Sequence, residues 1–207
     1  MKLSQYMLLA LVGLLLIPAA AMADDPGERD TVRVVYTETD PGVDAAVPVT
    51  IFNDENVGGF SLGFSWDSPD ITVDSVSFVG SRATPFFAVA PVIDNANQTV
   101  LTGWVDFTGA LPLTPGDGLV LTIWFHVPPS TPDQFVYLDS TFIPPAGTFV
   151  LSLISGGSAS PEYQGNFIKI GDPPPPPVID LSGTSFVFNA EIGGGNPTSQ
   201  ILNITHA

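Results

Sequence analysis

From Thr31 onward, apolar and polar positions alternate with a period of two, and no stretch shows the 3.6-residue rhythm of an amphipathic helix. Val32, Val34 and Tyr36 alternate with mostly polar neighbours, and Val47, Val49 and Ile51 keep the same spacing. Phe60, Leu62, Phe64 and Trp66 alternate with Ser61, Gly63 and Ser65 without a fault, which is what a strand with one buried face requires. Ile71 and Val73 continue the pattern. Val76 and Phe78 then resume it one residue out of phase, predicting a β-bulge or a strand break near Asp74 and Ser75. Further strands are predicted at Thr99 to Phe107, Leu119 to Val127, Phe135 to Phe142, Thr148 to Leu153 and Gly165 to Ile170. Turn signals fall between them, among them Asp40-Pro41-Gly42, Ser68-Pro69-Asp70, Thr114-Pro115-Gly116-Asp117-Gly118 and Pro144-Pro145-Ala146-Gly147. Many short strands punctuated by Gly and Pro define an all-β chain, a sandwich or jelly roll.

The two ends break this pattern. Residues 1–23 read as a signal peptide: Lys2 gives a positive start, Met7 to Ile17 is apolar, and Ala21-Met22-Ala23 fits the small-x-small cleavage rule. The apolar run stops at Pro18, short of the about 20 residues that a membrane-spanning helix needs. Cleavage would leave 184 of the 207 residues, and the expected address is secreted, extracellular or cell-surface. At the other end, Pro173 to Pro177 is a run of five prolines, expected to form a stiff polyproline II linker. The body is therefore placed at 24–172, the linker at 173–177, and an incomplete β segment at 178–207. Strands in that segment are expected at Ile179 to Leu181, Ser185 to Ala190 and Gln200 to Thr205. About thirty residues are too few to close a core of their own.

Composition narrows the chemistry. With no cysteine there are no disulfides, thiolate metal sites or thiol nucleophiles, so an apolar core must carry the stability, and 44 % hydrophobic residues supply it. After cleavage, 21 Asp and Glu stand against four Lys and Arg, which argues against nucleic acid or an anionic membrane surface as partner. The acidity is read as solubility outside the cell rather than as calcium binding or attraction of a basic partner, because the acids are scattered rather than set at ligand spacing. No metal and no cofactor is expected.

Catalytic signals do not assemble. Gly59-Phe60-Ser61-Leu62-Gly63 matches the hydrolase elbow by letter, but that elbow needs a strand-to-helix turn, and here the alternation runs straight through Ser61. His126 and His206 are the only histidines, too few for a zinc site and without visible triad partners. His126 is expected on the polar side of its strand. The count of acids permits a glycosidase pair, yet Asp67, Asp70, Asp94 and Asp117 sit in turns, where carboxylates ordinarily bond the backbone. The formal glycosylation sequons at Asn97 and Asn203 carry no weight in a chain expected to be bacterial. Among the tryptophans, Trp66 is in phase with the core. Trp124 and Trp104 fall on the more polar phases of their strands and are the candidates for outward rings.

Three segments, in order, resemble the cohesin domain. Val47-Pro48-Val49-Thr50-Ile51-Phe52-Asn53 with Val57 to Asp67 is similar to its early hairpin, which ends in an aromatic-Asp pair. Ile71 to Phe78 is similar to the next strand. Gly116-Asp117-Gly118-Leu119-Val120-Leu121 to Val127 resembles the Gly-x-Gly-x-Leu turn and strand before the closing hairpins, with Val120 followed by Leu121 in the place of the family's leucine. The resemblance spans Thr31 to Gly171 and implies a jelly-roll β-sandwich of about nine strands, shared with family 3 carbohydrate-binding modules. It implies a non-catalytic module that holds a dockerin-like protein or a polysaccharide, one sheet face meeting the partner; a structural spacer is a third role. The segment after the prolines resembles the opening of a BACON-like or other immunoglobulin-like module. On the cohesin-like arrangement, the partner face would carry Ser61 and Ser65 of one strand and Thr102, Trp104 and Asp106 of another, with Trp124 as a further exposed ring. A flat face of Ser, Asp and aliphatics would suit protein, and a strip of coplanar aromatics would suit sugar.

Overall fold

The computed structural model describes residues 25, 27–144, 146–174, 179–181 and 204–206. The signal peptide expected at residues 1–23, Pro175 to Pro177, the strand expected at Ser185 to Ala190 and the sequon at Asn203 lie outside the described residues. The chain divides into two units between Pro173 and Pro174.

The first unit is a β-sandwich, and the only helical segment among its described residues is a 3-10 turn, Pro85–Phe87. One sheet contains β1 (Thr31–Val34), β3 (Ala45–Asn53), β5 (Thr72–Ser77), β8 (Gly116–His126) and β12 (Glu162–Gln164), in the order β12-β1-β3-β8-β5. The other is organised on β4 (Val57–Trp66). Along one edge β4 pairs with β7 (Thr99–Val105), which pairs in turn with β6 (Ala88–Asp94). Its other edge is shared by β10 (Val150–Leu153) and β9 (Gln134–Ser140). β11 (Ser158–Ala159) extends beyond β10, while β13 (Asn166–Ile170) and β2 (Thr37–Thr39) extend beyond β9. The first strand is split: β1 lies parallel to β12 in one sheet and β2 parallel to β13 in the other, so the chain changes sheets at Val35 and Tyr36.

Period-two alternation places the core. Val47, Val49 and Ile51 of β3 and Leu121, Ile123 and Phe125 of β8 face Phe60, Leu62, Phe64 and Trp66 of β4, all of them buried. Trp66 meets Phe125 edge-on across the two sheets, their centroids 5.4 Å apart. The phase slip expected near Asp74 and Ser75 is a bulge: Val73 is opposite Phe125 and Ser75 opposite Trp124, leaving Asp74 extra. A second bulge escapes the sequence pattern. Val49 pairs with Leu121 and Thr50 with Leu119, so Val120 is the unpaired residue and turns inward beside Leu121.

Two readings are corrected. Gly116 to Gly118, expected as a turn before a strand starting at Leu119, are already strand paired with Asn53 and Ile51. They carry φ of 147° and 153°, and Arg82 lies where their side chains would be, which only glycine permits. Strand β6 was not expected at all, because Pro91 interrupts its run of Val and Ile. It is an edge strand, and the ladder shifts between Val89 and Val92 to pass the proline.

Arg82 fastens this end of the sandwich. Its guanidinium donates to the carbonyls of Ile51 and Gly116 at 2.9 Å each, to Asn53 Oδ1 at 3.0 Å and to the Thr114 carbonyl. Asn53, itself fully buried, donates to the carbonyls of Glu55, Leu113 and Thr114. In the second unit, β14 (Ile179–Leu181) pairs antiparallel with β15 (Ile204–His206). Replacing Arg82 with Met would remove the donor to the Asn53 acceptor and to the Ile51 and Gly116 carbonyls, while the Thr114 carbonyl keeps its bond from Asn53. We expect a loss of about 2–3 kcal/mol in urea unfolding, and a loss below about 0.5 kcal/mol would show the cluster to be incidental.

Candidate functional site

The outer face of the β4 sheet is set by β4 and β7 together. Their register pairs Phe60 with Trp104, Leu62 with Thr102 and Phe64 with Val100, so these residues share the inner face. The opposite phase pairs Gly59 with Val105, Ser61 with Gly103 and Gly63 with Leu101. Next to β7, Val89 stands opposite Gly103 and Val92 opposite Leu101, both exposed. On the other side Val150 of β10 stands opposite Ser61. The result is a stripe of Val, Leu, Ser and Gly with a depression of about 210 Å3 between Ser61, Val89, Val92, Leu101 and Val105.

This register corrects the expected phase of β7. Trp104 is 1 % exposed, not an outward ring. Its Nε1 donates to the Thr84 carbonyl at 2.9 Å, and its ring stacks on Phe60 and meets Phe87 edge-on, both at 5.9 Å. Thr102 is buried beside it, with its hydroxyl unpartnered. Asp106 is also buried, and it works within its own turn. Its carboxylate accepts from the Thr108, Gly109 and Leu111 amides and from the Thr108 hydroxyl at 2.6 Å. Burial pushes its pKa up, but these hydrogen bonds outweigh burial and hold the carboxyl below its ordinary value.

Ser61 and Ser65 do reach the outer face, partly exposed. Trp124 is outward as expected, 40 % exposed, but on the opposite sheet, where it stands beside Ala46 and Ser75. The six expected residues therefore do not form one site. His126 lies on the same side of β8 as Trp124, with Nδ1 2.9 Å from Asp44 Oδ1, both exposed. Ser61 of the elbow-like motif sits in mid-strand.

Leu101, Gly103 and Val105 were missed because both phases of β7 carry large apolar residues, and Val89 and Val92 because Pro91 hides β6. A usable signal was present. Gly59, Gly63 and Gly103 each fall on one phase, and small residues on neighbouring strands mark a shared, closely approached face.

No protein-family model and no curated protein sequence matches the chain. Solved structures do. The seventh ScaB type I cohesin from Pseudobacteroides cellulosolvens superposes with a TM-score of 0.60 at 14 % identity, over 71 % of this chain and 95 % of that one. The chain matched in a type I cohesin–dockerin complex from Clostridium thermocellum gives 0.59 at 14 %, over 69 % and 99 %. A non-cellulosomal cohesin from the archaeon Archaeoglobus fulgidus gives 0.53 at 20 %, over 70 % and 92 %. The sandwich is thus a cohesin fold. At these identities the likeness concerns the fold, and the residues on its faces are this chain's own.

Two substitutions test the inward phase of β7. Trp104→Ala is expected to cost about 3–5 kcal/mol in denaturant unfolding, as for other buried aromatics. Thr102→Val, which removes an unpartnered buried hydroxyl at nearly constant shape, should stabilise by about 1 kcal/mol. An unchanged Trp104→Ala protein would put the ring back on the surface.

Proposed function

We propose that this chain is a secreted, non-catalytic binding module that docks a dockerin-type protein through the outer face of β4, β7 and β6. The observation that carries this reading is the face itself: Ser61, Leu101, Gly103, Val105 and Val89 form an aliphatic and small-residue surface with no aromatic ring among them. Such a surface suits a protein helix or strand, which gains by shape fit and apolar burial. A sugar ring, by contrast, needs an aromatic platform. Crystallised cohesins of the same fold are found in complex with dockerins, from Clostridium thermocellum and elsewhere. Export is supported by Lys2, the apolar run after it and Ala21-Met22-Ala23.

The polysaccharide alternative needs aromatic rings, and on this sheet a group of them lies in its other half. There Tyr36, Phe135 and Tyr137 surround Phe167 at 5.1 to 5.4 Å, but the interplanar angles are 80°, 83° and 56°. Crossed rings offer no flat strip for stacking. A spacer role has no observation in its favour.

The test is calorimetric titration of the secreted protein, its mature N-terminus expected at Asp24 by mass, against a panel of calcium-loaded dockerins. Ser61→Arg combined with Val89→Glu should weaken the interaction at least a hundredfold, about 2.7 kcal/mol, while thermal unfolding stays within about 2 °C. Binding to insoluble polysaccharide with no response to any dockerin would overturn the assignment.

A further inference from the structure

Beside β1, at the sheet opposite the proposed docking face, four acids from separate stretches of sequence come together. Asp25 and Asp30 belong to the segment leading into β1, and Asp54 and Glu55 to the connection between β3 and β4. One carboxylate oxygen from each lies within 4.8 Å of the other three. Three of the groups are held through one oxygen by a backbone amide. Asp25 Oδ2 accepts from the Asp30 amide at 2.6 Å, Asp30 Oδ1 from the Asp54 amide at 3.3 Å, and Asp54 Oδ2 from the Glu28 amide at 2.7 Å. Their other oxygens, with both oxygens of Glu55, are buried and have no hydrogen-bond partner.

Asp30 decides the matter. It is 0 % exposed, its Oδ2 is unpartnered, and its carboxylate is turned into the cluster. A buried ionised carboxylate with a bare oxygen is among the most costly arrangements in a fold unless a counter-charge meets it. Among the described residues no Lys, Arg or His pairs with any of the four acids. The nearest arginines along the chain, Arg29 and Arg33, are engaged by Glu162 and Asp117. The same field acts on protons: burial first, then neighbouring carboxylates, pushes Asp30 up to about 6 and Glu55 up to about 7.

We propose that Asp25, Asp30, Asp54 and Glu55 form a binding site for one calcium ion. The donor set is all carboxylate oxygen, the choice of a hard cation, with no nitrogen or sulfur to favour zinc. Calcium holds oxygens at about 2.3–2.6 Å, so two oxygens on opposite sides of the ion stand about 4.6–5.2 Å apart, and the cluster fits inside that span. Its ligands come from loops rather than from a rigid octahedral cage, which favours calcium over magnesium. Sequence reading missed the site because the acids are not at ligand spacing along the chain; the fold supplies the spacing. The ion would tie the segment before β1 to the β3–β4 connection, and it belongs to this module alone, independent of any dockerin.

The test uses the full mature chain without partner, freed of metal by a chelator. Calorimetric titration with calcium chloride should show one site, and 2 mM calcium should raise the melting temperature by at least about 5 °C over the chelated protein. Asp30→Asn and Glu55→Gln should each weaken calcium binding at least about tenfold and abolish most of that rise, as expected when one charged ligand is lost. Both variants relieve repulsion, so their chelated forms should fold and melt no lower than the chelated parent. Asp133→Asn, remote from the cluster, should keep the full response. No binding heat at millimolar calcium, an equal response to magnesium, or a calcium response retained in Asp30→Asn and Glu55→Gln would each overturn the site. So would failure of both chelated variants to fold, since that makes the carboxylates structural without an ion.

Discussion

The sandwich rests on one strand that must satisfy neighbours on both edges and both faces. β4 pairs with β7 along nearly its whole length on one side and with β10 and β9 in succession on the other. Its backbone is therefore committed along both margins, and only its side chains can distinguish core from surface. The strict alternation of large apolar and small residues from Phe60 to Trp66 meets that demand. A slip of one residue would send four large side chains to solvent and bring glycine and serine into the core, so the register is strongly fixed. Through the ladder it passes to β7, which is why Trp104 points inward.

That dependence explains what could be read from the residues and what could not. Strands whose two phases differ clearly, such as Val47 to Ile51 and Phe60 to Trp66, were legible with their inward faces. The break at Asp74 was legible because apolar residues changed parity. β7 was legible as a strand but not in its orientation, because Leu101 and Val105 compete with Val100 and Trp104, and only pairing with β4 decides between them. β6 was hidden by Pro91, and the inward turn of Val120 by a bulge that leaves Leu121 in its expected place. Sites suffer most, because they join residues that are remote along the chain. Asp30 and Asp54 are 24 positions apart, and no short-range spacing rule connects them.

The character of the proposed docking face follows from the same economy. Gly59, Gly63 and Gly103 lie close under neighbouring backbone: a Cβ on Gly63 would stand 2.7 Å from the Thr141 carbonyl, and one on Gly103 3.2 Å from the Phe60 carbonyl. Close strand packing thus keeps this side of the sheet low and smooth. On the proposed docking, a partner meeting it would gain by contact over area rather than by insertion of one anchor, and specificity would fall to the exposed valines of β6 and the rim.

One feature of β6 reaches beyond the single molecule. β6 is the margin of its sheet, paired among the described residues with β7 alone. An unprotected margin is a row of free amides and carbonyls that invites a strand from another molecule. Pro91 removes one donor from that row, and the ladder shift between Val89 and Val92 breaks its regular spacing. The proline that hides this strand from the sequence pattern also guards it: copies of the sandwich can crowd together without their sheets fusing into a continuous fibre.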